Sequence, residues 1–138
     1  MPDNTLILTV GLPRSGKTTW ARQQGVPIVN PDAIRLALHG NRFLSDAEPM
    51  VWCMARYFVI SLFGAGHDRV IVDATNTTRK RRDYWRDERW ATRLKVIDTD
   101  KAVCIARAMT EEDNRMIAVI ERMHEQFEMP EVLEEVLP

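Results

Sequence analysis

Cysteine, histidine and net charge are all scarce in this sequence, and each scarcity removes a class of function. Two cysteines occur, Cys53 and Cys104, without the short spacing that holds a structural metal. Both stand among apolar neighbours and are expected to be buried free thiols. His39, His67 and His124 are isolated, and no role falls to them. The 19 basic and 20 acidic residues leave a formal net charge of −1, so global charge gives no argument for a nucleic-acid partner. Long apolar runs are missing too. The longest, Met50 to Gly66, is interrupted by Arg56 and is short for a bilayer crossing. Met1 to Thr5 is polar, and Leu6 to Val10 is too brief an apolar run for a secretory leader. A cytoplasmic protein, away from the membrane, is expected. There is no internal repeat, low-complexity stretch or linker.

What remains is a chain of 138 residues with 45% hydrophobic content, which suits one core and a single domain over 1–138. Its charge is unevenly placed. Arg79 to Lys95 holds eight basic residues against three acids, and Glu111 to Pro138 holds nine acids against two arginines. Either one face attracts anions, or these are two ordinary exposed segments of opposite sign.

Strand and helix patterns alternate along the chain. Leu6 to Val10, Pro27 to Val29, Arg69 to Asp73 and Arg93 to Asp98 read as short strands. Helical patterns cover Thr18 to Gln24 and a segment opened by Asn30-Pro31 that ends near Gly40-Asn41. Ser45-Asp46-Ala47-Glu48 reads as a capping box. It opens a helix to about Phe63, with Met50, Met54, Tyr57, Phe58 and Leu62 as expected core contacts. Thr77 or Thr78 caps a basic helix to about Trp90, and two more helices cover about 101–109 and 113–128. The tail from Pro130 to Pro138 offers Val132, Leu133 and Val136 for packing. Such alternation predicts a parallel sheet with helices on both faces, and ligands bind such sheets at the carboxyl ends of the strands.

The chemistry concentrates after the first strand. Gly11-Leu12-Pro13-Arg14-Ser15-Gly16-Lys17-Thr18 matches G-x-x-x-x-G-K-[ST] at every fixed position. Loop amides in this motif form an anion nest, aided by the positive end of the following helix. Lys17 is expected at the β- and γ-phosphates and Thr18 at Mg²⁺. The expected nucleotide-binding set is Gly11, Pro13, Arg14, Ser15, Gly16, Lys17, Thr18 and Thr19. Asp73 ends an apolar strand, as the acid of such a Mg²⁺ site commonly does, although a turn aspartate would look the same. A chain of this length leaves little for coupling hydrolysis to movement, which favours a kinase.

Asp32, in the first turn after the second strand, is a candidate proton acceptor for an attacking hydroxyl. Arg35 lies one turn on, placed for an anionic group of the acceptor. An acid there also simply complements a helix dipole. Trp20-Ala21-Arg22, Asn30 to Arg35, and Asp73-Ala74-Thr75-Asn76 before a basic helix complete the pattern. Together with the loop they resemble the phage-type polynucleotide 5′-hydroxyl kinases, within a wider group of small P-loop kinases that includes zeta-toxin-like enzymes. The resemblance implies a three-layer α/β P-loop kinase fold with four to five parallel strands, ATP and Mg²⁺ as cofactors, and a nucleic-acid 5′-hydroxyl end as partner. It implies Asp32 as general base, Arg35 on the acceptor's phosphate-bearing end, Asp73 in the metal network and Arg107 in a lid over the triphosphate.

One position departs from the family pattern: Glu111 stands where a second lid arginine is usual. Arg115 from the next helix, or Arg14 in the loop, is left to supply that charge. Arg115 could equally pair with Glu111 or Glu112. Tyr84, Trp85 and Trp90 among the arginines could stack bases or form a core stripe. A kinase for a small metabolite, and a nucleotide-binding module with little catalysis, are the competing functions.

Overall fold

A computed structural model describes residues 2–40 and 43–138. Its sheet has four strands, β1 (Thr5–Val10), β2 (Ile28–Val29), β3 (Arg69–Val72) and β4 (Ala91–Val96). All pair in parallel in the order β2-β3-β1-β4. The six helices among the described residues are α1 (Lys17–Gln23), α2 (Pro31–His39), α3 (Glu48–Gly64), α4 (Arg79–Asp83), α5 (Lys101–Thr110) and α6 (Asn114–Gln126).

Alternation along β1 sends its side chains to both sides. Leu6, Leu8 and Val10 pack with Val51, Ala55 and Val59 of α3, while Ile7 packs with Ala21 of α1. Helices therefore cover both faces, as expected. A third cluster joins Leu12, just after β1, to Cys104 and Ala108 of α5 and Ile120 of α6. No described helix is long and apolar enough to cross a membrane.

Several local expectations need correction. The α3 stripe is Val51, Ala55 and Val59, whereas Met50, Tyr57 and Phe58 are exposed; Met54 and Leu62 pack only partly against the core. The helix is apolar on every side, so periodicity does not select its inner face. Cys53, on that outer surface, is exposed; Cys104 is buried and free. The capping box does not form. Ser45–Ala47 is a 3₁₀ turn and α3 starts only at Glu48, with Ala47 at its cap position and no side-chain cap, while both Glu48 oxygens accept from Arg35. α2 is capped at Gly40, φ 70°. Asn41, included in its expected end, and Met1 lie outside the described residues.

The basic helix is only five residues long, with Thr78 as its cap. Trp85 and Trp90 then turn inward and are buried, the Trp90 indole donating to the Trp85 carbonyl at 2.8 Å. Neither is a stacking platform for bases. Most arginines of this segment are paired with acids. Arg79 pairs with Asp83 and Glu131, Arg86 with Asp83, Arg89 with Asp87 and Arg93 with Glu135. Arg82 and Glu134 form a buried ion pair, 2.8 Å apart.

That pair fastens the tail in a way apolar packing was expected to do. Val132, Leu133 and Val136 are exposed. Instead, Leu94 of β4 exchanges backbone hydrogen bonds with the tail, its N–H to Glu135 and its carbonyl from Leu137, and the Leu137 side chain packs near Ile7. Removing one partner of a buried ion pair strands the other's charge. Glu134→Ala should therefore cost about 3–5 kcal/mol in denaturant unfolding, and Arg82→Met with Glu134→Leu should recover most of it.

Candidate active site

The loop from Gly11 to Thr18 joins β1 to α1 at the carboxyl edge of the sheet, beside the central strand. Gly11 is required there. A Cβ at this position would meet the Ile97 carbonyl oxygen and Ser15 Oγ, each at 2.8 Å. Gly16 has φ 104°, which favours glycine, and Arg14 adopts φ 67°.

Three carbonyl oxygens of the loop are already engaged. Leu12 accepts from Lys17 Nζ at 2.6 Å, Arg14 from Arg107 Nη1 at 2.9 Å, and Ser15 from Thr99 Oγ1 at 2.7 Å. The Gly11 and Ser15 amides donate to the Thr75 and Leu12 carbonyls at 3.0 and 3.2 Å, and the loop's other N–H groups suit an anion. An open cavity of about 610 Å³ lies against it, lined by Ser15, Gly16, Lys17, Thr18 and Thr19, with Arg14, Arg107 and Glu111 at its side. Burial lowers the Lys17 ammonium to about 8, despite the opposing fields of Asp73, Cys104 and Asp32. Burial likewise pushes the Cys104 thiol up.

Thr18 and Asp73 meet. The Thr18 hydroxyl donates to Asp73 Oδ2 at 2.6 Å, and Asn30 Nδ2 donates to the same oxygen at 3.3 Å. Among the described residues no cluster of three or more His, Cys, Asp or Glu could form an all-protein metal cage. A hydroxyl beside one carboxylate fits Mg²⁺, which keeps waters and takes its remaining ligands from phosphates.

Asn30 serves twice. Its Oδ1 caps α2 by accepting from the Asp32 and Ala33 amides, while its amide nitrogen reaches Asp73. The second role was not legible as a local signal. Thr9 and Asn76 are further unforeseen contributors. Thr9 Oγ1 accepts from the Ala74 amide and donates to the Ala74 carbonyl, and Asn76 Nδ2 donates to the Thr9 carbonyl. Together they stitch the segment after β3 to β1.

Asp32 and Arg35 sit on α2, outside the lining of the loop cavity. The Asp32 side chain is 61% exposed and accepts from Arg35 Nη1 at 2.7 Å. Arg35 also grips Glu48 through Nε and Nη2, at 2.8 and 2.6 Å. Burial lowers the Arg35 pKa, but the bonds to Glu48 and Asp32 leave it raised overall.

The two candidates for the extra cation part company. Arg115 is exposed on α6, neither lining the cavity nor paired with the loop. Arg14 is at the cavity, its Nη2 bonded to Asp113 and Glu111, both at 2.9 Å. Glu111 thus faces the loop arginine and not Arg115.

Residues 6–130 match the model of a family described as AAA domain. Among solved structures, the chain is 30% identical to a chain of the Pnkp1/Rnl/Hen1 complex, TM-score 0.68, over 78% of this chain and 40% of that one. A chain of the Pnkp1/Rnl/Hen1 RNA repair complex is 21% identical, TM-score 0.69, over 98% and 50%. A gluconokinase from Sinorhizobium meliloti 1021 is 18% identical, TM-score 0.64, over 99% and 82%, and shares the fold. This chain thus spans half or less of the repair-complex chains it matches. No curated protein sequence matches it.

The depressed Lys17 gives a signed prediction. Below about pH 8 the lysine is charged in both states, and burying that charge destabilises the fold. Between about 8 and the ordinary 10.5 the unfolded chain holds the extra proton, so stability rises with pH. Without nucleotide, Lys17→Met should be more stable than wild type at pH 7, by up to about 3 kcal/mol. Denaturant midpoints of the two proteins should converge as pH rises through that window.

Proposed function

From the premise that this chain belongs to the AAA domain family, on a P-loop kinase fold, we propose that it transfers the γ-phosphoryl group of ATP to the 5′-hydroxyl of a polynucleotide end. The observation that carries the reading is the loop cavity itself, with Lys17 buried at its wall and Thr18 bonded to Asp73. The 30% identity to a chain of the Pnkp1/Rnl/Hen1 complex supports the choice of acceptor.

In this reading the loop amides and Lys17 bind the triphosphate, and Thr18 and Asp73 hold Mg²⁺. The metal, when bound, neutralises charge on the β- and γ-phosphate oxygens. The acceptor oxygen attacks the γ-phosphorus, the bond from that phosphorus to the β–γ bridging oxygen breaks, and ADP leaves. The hydroxyl proton passes to the Asp32 carboxylate, which Arg35 orients. Arg107, bonded to the Arg14 carbonyl, supplies positive charge beside the transferring group, and Arg14 adds its own, in place of Arg115, when the triphosphate draws it from Glu111 and Asp113.

A small-metabolite kinase is the second reading. The pairing of most arginines in the basic segment with acids favours it, since little open basic surface is left for a long nucleic acid.

Labelled ATP, Mg²⁺ and 5′-hydroxyl oligonucleotides test the proposal. Wild type should form 5′-phosphate ends, and Asp32→Asn should lower kcat about 10²–10⁴-fold. Metabolite phosphorylation that oligonucleotides do not compete would select the second reading, and nucleotide binding without transfer would leave only a binding module. For the charge at the phosphates, Arg14→Ala should cost about 10²-fold or more in kcat, whereas Arg115→Ala should stay within a few-fold. The reverse order would return that role to Arg115.

A further inference from the structure

Arg14 stands at a loop position whose backbone favours glycine, with φ 67°. It is held there from two sides by one unit, α5 and the turn that joins α5 to α6. Arg107 of α5 donates to its carbonyl at 2.9 Å, and Glu111 and Asp113 of the turn both accept from its Nη2 at 2.9 Å. Two carboxylates on one guanidinium leave an acid in excess. The Nε of Arg14 is buried and has no hydrogen-bond partner among the described residues, so the guanidinium is not fully satisfied either. The two acids are not equivalent. Asp113 is fixed: its Oδ1 accepts from the Met116 amide at 3.3 Å, capping α6, while its Oδ2 accepts from Arg14. The Glu111 side chain is 53% exposed and lines the loop cavity beside Arg14. An acid at the wall of a cavity that suits an anion opposes the ligand unless a cation offsets it, and here Arg14 does so.

We propose that Glu111 and Asp113 are specificity-determining residues, which compete with the terminal phosphate of a nucleoside triphosphate for Arg14. The inference deepens the nucleotide-site reading above and rests on it. A diphosphate in the loop leaves Arg14 with its two acids. A third phosphate takes donors from Arg14 and turns Glu111, the exposed acid, out of the cavity, while Asp113 stays at its cap. Triphosphate affinity therefore carries the cost of parting Arg14 from Glu111, and diphosphate affinity does not. After transfer the terminal phosphoryl group is gone, Glu111 retakes Arg14, and the diphosphate keeps fewer contacts. Through-space repulsion from Glu111 would act on either nucleotide; competition for Arg14 acts on the triphosphate alone.

A double-mutant cycle read by binding separates the two. The full chain is titrated in Mg²⁺ with ADP and with β,γ-imido ATP, which is not hydrolysed. Glu111→Gln should tighten the triphosphate analogue about five- to tenfold and change ADP by about twofold or less. Asp113→Asn, which keeps a capping side chain, should shift the analogue in the same direction. With Arg14→Ala in place, Glu111→Gln should change the analogue by no more than about twofold, because nothing is left to compete for. Glu112→Gln removes an exposed acid of the same turn and should leave both affinities as they are. Equal tightening of ADP and the analogue by Glu111→Gln, or an undiminished effect in the Arg14→Ala background, would overturn the assignment. Failure of both nucleotides to bind would remove the nucleotide-site reading with it. If the coupling is found but no acceptor is phosphorylated, the discrimination stands and the kinase reading falls.

Discussion

A short hydrogen bond, from Thr18 to Asp73, joins the two halves of the site at the position that fits a metal. Thr18 lies in the first turn of α1, at the end of the loop that follows β1, and Asp73 directly follows β3. Because these strands are parallel neighbours, their carboxyl ends lie side by side, and two small polar side chains suffice to meet. Asn30, after β2, reaches the same carboxylate. Three strand ends therefore share one oxygen, Asp73 Oδ2. The loop, the metal-compatible pair and the start of α2 are all placed relative to that atom.

The tail supports this arrangement from behind. Glu134 engages Arg82 within the core, and Arg82 Nη1 donates to the Asn76 carbonyl at 3.0 Å. Asn76 in turn holds the Thr9 carbonyl. A chain of polar contacts thus runs from the tail, through α4, to the strand that carries the loop. Its members are buried, where each unmade bond is costly, so the chain rigidifies what it touches.

Features whose parts are contiguous in the sequence were readable there. The Gly11 to Thr18 loop, the Asn30 cap and the strand–helix alternation each depend on residues a few positions apart, and local chemistry dictates them. Features built across distance were not. Arg82 finds Glu134, Arg35 finds Glu48, and Arg81 finds Trp52 only once the sheet has set the helices in place. The same limit explains the α3 error. A helix apolar all round is buried where its neighbours are, and that is Val51, Ala55 and Val59. It also bears on the two charge runs, whose readings stayed open in the sequence: Arg79, Arg82 and Arg93 of one meet Glu131, Glu134 and Glu135 of the other only in the fold.

The strand order has a temporal consequence. β1 is made first, yet it lies between β3 and β4, with Thr5 facing Arg69 on one side and Ala91 on the other. The phosphate motif is therefore synthesised before two of the strands that wall it, β3 and β4. The motif acquires its walls only when the strands on either side have emerged and closed large loops of chain around it. Until then the apolar side chains of β1 stay uncovered, and competence to hold a nucleotide waits on β3 and β4.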